Sequence, residues 1–335
     1  MSLARAESRR LFKRRFTKLL MVGVLLVLAA VAAGTYLSNQ KVTPAQISQA
    51  KAEATKEYER SLQSAQQEKE KCLAAVGTPE IENWGGNCDN IWTPTPEEFD
   101  YNWFMPQSFE FVPEFPDMIS VFAVVLAAAA FLIGASFVGA EWNSGGMMNL
   151  LLWRPQRLRV LGTKLGVFLG WLTGVALLLA AVWTGVFRLV AEFRGTTDKL
   201  TPGAWQSLGL MGLRGLALIV VSGALGFALA SLGRHTGMAL GALIGIGAVQ
   251  IGVYVVAQLA GAKYPDAFLA PLWGFAWLYK EFELEDYNSC NYSSTAGCEL
   301  DKFTLTWQAA GTGMAVLAVI VVGAAMWTMR KRDIT

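Results

Sequence analysis

Six stretches of this chain carry no charged side chain and are long enough to cross a bilayer: Leu19–Leu37, Met118–Ala140, Leu165–Phe187, Gly215–Gly233, Thr236–Ala262 and Phe303–Met329. A spanning helix needs about 20 predominantly apolar residues, and in lipid its backbone groups must be satisfied within the helix itself. The pattern therefore predicts an all-α polytopic membrane protein with six transmembrane helices. The fourth window extends back past Arg214 to begin near Gln206. Only 16% of the residues are charged and 53% are hydrophobic, whereas a soluble domain usually carries about a quarter charged residues. The first window is expected to stay in the mature chain. Its apolar run is too long for a signal peptide, and no clean small-x-small site precedes a soluble domain.

Orientation follows from where lysine and arginine lie. With the N-terminus inside, the inner segments 1–18, 141–164, 232–237 and 330–335 carry 15 Lys and Arg against three acids. The outer segments 39–117, 189–206 and 261–302 carry 11 Lys and Arg but 23 acids. Basic residues crowd the short inner loops, so both termini are expected to be cytoplasmic in a plasma-membrane protein. A net charge of +2 gives no reason to expect nucleic acid as a partner. Cys72, Cys88, Cys290 and Cys298 all fall in the outer segments, where thiols can oxidise. Four cysteines allow three pairings; Cys72–Cys88 and Cys290–Cys298 are the expected ones, because each pair shares a loop.

The chain then divides in order. Residues 1–18 set Leu11, Phe12 and Phe16 on one helical face among seven cations, which suits an amphipathic helix in the membrane interface. Span 1 (19–38) leads to an extracellular insertion, 39–117. Its first half predicts a solvated helix over 44–72, with Thr43 as N-cap and Pro44 as first helical residue. Its second half is a proline- and aromatic-rich cap, where prolines exclude a long helix. Span 2 (118–140), a cytoplasmic loop (141–164), span 3 (165–188), an outer loop (189–205) and span 4 (206–232) follow. A cytoplasmic turn (233–236) carries His235, the only histidine. Span 5 (237–262) has small-xxx-small spacing at Gly237, Gly241 and Gly245, which permits close helix approach. Residues 263–302 hold a short apolar stretch broken by Pro271 and Gly274, too short to span, which predicts a re-entrant or interfacial helix pair and then an acidic loop. Span 6 (303–329) and a basic tail (330–335) close the chain. Arg214 within span 4, and Trp273 and Trp277 in the broken stretch, are the candidate substrate-binding residues.

No motif for covalent chemistry stands out. G-x-x-x-x-G-K-[ST], G-x-S-x-G and His/Cys metal spacings do not occur in a suitable context, so the chain is not expected to be an enzyme by itself or to bind a cofactor or metal. One inner loop is nevertheless too patterned for a linker. GAEWNSGGMMNLLLWRPQRLRVLGTKLG runs from Gly139 to Gly166, opens with an acid, turns at a glycine pair and continues as an apolar-basic helix.

This loop, the basic helix before span 1, the aromatic stretch near Pro271–Phe282 and the closing RKRD resemble the permease subunit of type-2 ABC exporters over nearly the whole chain. Glu141, Gly145, Gly146, Leu151, Pro155, Arg157 and Lys164 match that family's loop pattern. The resemblance implies two permease subunits forming the pathway, more readily a homodimer, with two ATPase subunits holding ATP and magnesium and docking on 141–164. Glu141, Gly145, Gly146, Leu151, Trp153, Arg154, Pro155 and Arg157 are the expected contacts. The long 39–116 insertion departs from minimal members, and a membrane-anchored sensor or envelope-assembly scaffold using that segment is the alternative.

Overall fold

The computed structural model describes residues 3–85, 87–89, 91–153, 156–293 and 297–331. Among these residues the helices are α1 (Leu3–Lys13), α2 (Arg15–Ser38), α3 (Pro44–Ala75), α4 (Phe111–Asn143), α5 (Gly146–Trp153), α6 (Arg157–Arg194), α7 (Pro202–Gly233), α8 (Thr236–Leu259), α9 (Ala270–Tyr279) and α10 (Trp307–Lys331). Two strand pairs accompany them: β1 (Phe109–Glu110) beside β2 (Gly195–Thr196), and β3 (Glu281–Ser293) beside β4 (Gly297–Thr306). Six helices (α2, α4, α6, α7, α8 and α10) are long and apolar enough to cross a membrane, and the chain is a multi-pass membrane protein.

The chain forms two compact units, Met1–Ala32 with Val112–Phe187 and Asp198–Thr335, and Ala33–Phe111 with Arg188–Thr197. In the first, α4 and α7 are the central helices, with 67% and 50% of their most apolar windows buried. Glycine lets them touch backbone to backbone. A Cβ at Gly134 would overlap the Gly223 carbonyl, and one at Gly226 would overlap the carbonyl of Phe131. On α8, where sequence spacing also permits close approach, a Cβ added at Gly241 or Gly245 would meet no described atom of this chain within 4 Å. The reason is placement: α8 lies at the periphery of the unit, with 6% of its window buried. Beside the α4–α7 contact, Phe137, Phe168 and Phe227 pack with centroids 6.1–6.4 Å apart.

Two features differ from the sequence expectation. Helix α4 begins at Phe111 rather than near 118 and takes in both Pro113 and Pro116. Proline in a first turn removes an N–H that lacks an intrahelical partner anyway. The later Pro116 costs one bond, offset by burial of Phe115, Ile119 and Phe122 along the same helix. The second difference is that the chain is not wholly α-helical. The short apolar stretch forms a 3₁₀ turn, Pro265–Phe268, followed by α9, and between α9 and α10, where the sequence suggests an acidic loop, lie the strands β3 and β4. An antiparallel β-hairpin runs from Glu281↔Thr306 to Ser293↔Gly297, with an irregularity between Asp286 and Asn291. Its first strand alternates Glu281, Glu283 and Glu285 with Phe282 and Leu284, a period-two pattern that puts one face on a core. Leu284 and Leu305 are buried with Ala276 of α9 and Ala310 of α10. Consequently the last span starts at Trp307, not Phe303.

In the second unit, α3 opens with a capping box. Gln46 N–H donates to Thr43 Oγ1 (3.4 Å), and the Thr43 N–H donates to Gln46 Oε1 (2.9 Å). Tyr58 meets Phe99 edge-on, and Lys51 lies 5.2 Å from the Tyr101 ring. The proline-rich part forms short 3₁₀ turns at Pro79–Trp84, Pro96–Glu98 and Tyr101–Phe104, tied to the end of α3 by the Cys72–Cys88 disulfide. The other disulfide joins Cys290 to Cys298 across the hairpin. Gly195 allows β2 to lie against β1, since a Cβ there would overlap the Phe109 carbonyl.

Candidate functional site

The segment 141–164 begins in the last turn of α4 and finishes about two turns into α6. Gly145 takes φ of +71°, which a side chain resists, and the backbone reverses there into the eight-residue helix α5. Helix α1 stops at Lys13 and α2 starts at Arg15, so Arg14 occupies the break.

What fixes these pieces to one another is a buried ion cluster. Lys164 is wholly inaccessible, and its ammonium donates to Glu7 Oε2 at 2.5 Å and to Glu141 Oε2 at 2.6 Å. Arg14 donates to Glu141 Oε1 at 3.0 Å and to the Ser136 carbonyl at 2.8 Å. Arg10 reaches the remaining Glu7 oxygen at 3.3 Å. Both central cations also lie over the Phe137 ring, Lys164 Nζ at 5.2 Å and the Arg14 guanidinium at 5.3 Å. Two buried carboxylates face the buried Lys164 and the partly exposed Arg14, so the core of the cluster is neutral. Three segments supply it: α1 with the residue that follows it, the last turn of α4, and α6.

Such a cluster is conditional. Taking these charges out of water costs several kcal/mol per ion, recovered only while each keeps its partner. A displacement that parts Lys164 from either carboxylate is therefore resisted, and the three segments respond as one.

The expected loop contacts fall in different places. Glu141 turns inward and joins the cluster, while Gly145 and Gly146 form the turn and the start of α5. Leu151 and Trp153 belong to α5, and Arg157 is the first residue of α6. Arg154 and Pro155, like Arg332 and Asp333 of the closing RKRD, lie outside the described residues. Sequence reasoning missed Glu7. The available signal was that it is the only acid in a segment with seven cations.

The candidate substrate residues separate. Arg214 faces the bundle, donating to the Leu278 carbonyl at 3.5 Å with its guanidinium 5.1 Å from the Trp307 ring. Trp277 donates its indole N–H to the Arg214 carbonyl at 2.8 Å. Trp273 bonds locally to the Ala267 carbonyl, also at 2.8 Å. Arg214 and Trp277 thus fasten α9 to α7. None of the three lines the apolar cavity of about 230 Å³ between α4, α6 and α7, whose walls include Phe115, Phe122, Trp183, Trp205 and Ile219.

No protein-family model matches this chain, and neither curated proteins nor solved structures give a match.

Proposed function

We propose that this chain is the membrane-spanning permease subunit of an ATP-binding-cassette exporter. Two copies form the pathway, and two separate ATPase subunits, which bind the ATP and magnesium, dock on 141–164. In this reading both termini face the cytoplasm, the protein sits in the plasma membrane, the 39–116 insertion is extracellular, and the cargo is amphipathic. The chain itself carries out no chemistry.

The observation that supports it is the Lys164 cluster. A motor that pushes on α5 acts on a short helix held between α4 and α6, and Glu7, Glu141 and Lys164 bind both of those helices to α1. Force applied at one small handle then reaches two spans and the interfacial helix together, which is what exchange of inward and outward access requires.

The test is co-purification from the native membrane, combined with Arg157→Glu. An ATPase subunit should accompany the wild-type chain, and the charge reversal should abolish ATP-dependent transport while leaving the amount of membrane protein unchanged. Transport that survives the reversal, with no ATPase recovered, removes this reading.

One observation favours a second reading. Most of the insertion belongs, with Arg188–Thr197, to a separate compact unit that holds an internal disulfide, as a sensor or assembly scaffold would need. In that case deleting 39–116 should abolish function, with no dependence on ATP hydrolysis.

A further inference from the structure

Next to the ion cluster lies an open cleft of about 810 Å³, and its lining is strongly biased in charge. Arg9, Arg10, Lys13 and Arg14 line it against a single carboxylate, that of Glu141. Positions 9, 10 and 13 fall on one side of α1, and Arg14 follows in the break before α2. Arg10 and Arg14 already spend part of their donor capacity on Glu7 and Glu141. Arg9 and Lys13 are exposed and make no ion pair among the described residues. The neutral polar residues Ser144 and Asn149 also line the cleft.

Guanidinium groups with hydroxyl and amide neighbours suit a tetrahedral oxyanion, which takes several charge-assisted bonds at once. Helix α1 shows what carries that anion. Between its cations it exposes Phe12 (53%), and the first turn of α2 exposes Phe16 (46%). Phe12 also meets Trp171 of the spanning helix α6 edge-on, with centroids 5.6 Å apart. Cations and bare aromatics alternating on a short helix beside a span are the signature of a helix at headgroup depth. An acidic protein segment would explain the cations but leave Phe12 and Phe16 in water.

We propose that this cleft is a binding site for the phosphate of an anionic membrane lipid, held by Arg9 and Lys13 with Arg10 and Arg14 behind them. The lipid's acyl chains then run past Phe12 and Phe16. The cleft shares Glu141, Ser144, Gly146 and Asn149 with the 141–164 segment, but its cations belong to α1 and its neighbour Arg14, so lipid binding is measured on the chain without an ATPase.

The experiment is native mass spectrometry of the full chain in neutral detergent, titrated with phosphatidylglycerol, with diacylglycerol and with inorganic phosphate. The Arg9→Gln/Lys13→Gln pair leaves the ion cluster intact and removes two exposed cations. Phosphatidylglycerol affinity should fall roughly 30-fold in that variant, on the order of fivefold per cation, while Arg9→Lys/Lys13→Arg retains it. Diacylglycerol should bind weakly and equally to all three proteins, and inorganic phosphate should not displace the lipid. Unchanged phosphatidylglycerol affinity in the double variant overturns the site. Displacement by inorganic phosphate overturns the lipid assignment in favour of a soluble anion. Unchanged lipid affinity with loss of a co-purifying protein overturns it in favour of an acidic protein partner.

Discussion

The same chemical pairs occur at two places in this molecule and have opposite consequences. At the base of α6, Lys164 is enclosed by Glu7 and Glu141 with no exposure. On the β3–β4 hairpin, Lys302 reaches Glu283 at 3.0 Å and Glu285 at 3.6 Å, and Lys263 reaches Asp301 at 3.3 Å, all with their side chains in solvent. In the hairpin, water substitutes for a lost partner. At Lys164 and Glu7, which have no exposure, it cannot, so each needs the other. Proximity of charge alone does not tell a fastening from a solvated surface; burial does.

The largest effect that would break this contrast is at Lys164. Lys164→Ala removes the one buried cation shared by two buried carboxylates, leaving them only the partly exposed Arg10 and Arg14, and should cost about 3–5 kcal/mol, read as the melting temperature of the detergent-solubilised protein. Lys164→Gln combined with Glu7→Gln leaves Arg14 paired with Glu141, and should be less damaging than the sum of its parts. Additivity of the two would show that the cluster is not coupled.

A covalent tie gives the next largest effect. Replacing Cys72 and Cys88 by serine opens a loop with a sequence separation of 16, worth about 3 kcal/mol in the chain-entropy model. Limited proteolysis of 73–87 should report it, with reduction of the wild-type chain giving the same fragments.

Backbone conformation comes third. Lys280 joins α9 to β3 with φ of +79°, a region that disfavours side chains, and its carbonyl accepts from the Trp307 N–H at 2.7 Å. Lys280→Gly should stabilise by up to about 1 kcal/mol, seen as a raised melting temperature. A lowered one would mean that the ammonium matters more than the backbone.

The smallest effect lies on the hairpin. Lys302→Ala should leave the melting temperature unchanged at physiological salt, because exposed pairs are screened. Titration should still detect the contact. The hydrogen bond to Glu283, then the charges of Glu283 and Glu285, raise the Lys302 ammonium above its usual 10.5. Any stability it lends is therefore present below pH 10.5 and disappears as pH rises through the higher folded value. Asp301 runs the other way. Hydrogen bonds from Asn291 and Lys263 hold its carboxyl below 3.8, so its contribution is present above that value and is lost as pH falls. Nuclear magnetic resonance titration of the two groups checks both directions.

Much of the helical frame was legible because lipid imposes a single rule, that an uncharged run of sufficient length becomes a helix. The same-loop cysteine pairs were legible for a similar reason, since few alternatives existed. Charge and proline misled where tertiary contacts decide. Pro113 and Pro116 read as helix breakers, but burial of Phe115 and Phe122 carries α4 through them. The run Glu281–Asp286 read as an acidic loop because its net charge obscured the period-two alternation beneath it. Glu7 is one of three acids in the inner segments and carries no assigned role from sequence alone. Only the fold brings Lys164, 157 positions away in sequence, onto it. Pairings over that distance leave no periodic trace in a single sequence.

The glycine contact between α4 and α7 sets the kinematics of the first unit. Where Gly134 meets the Gly223 carbonyl and Gly226 meets that of Phe131, no side chain stands between the two backbones to repack in a new position. Sliding one helix along the other would drive a neighbouring side chain into that contact and separate the axes. Rotation about the contact meets no such obstacle. The crossing thus has the geometry of a pivot and not of a rail.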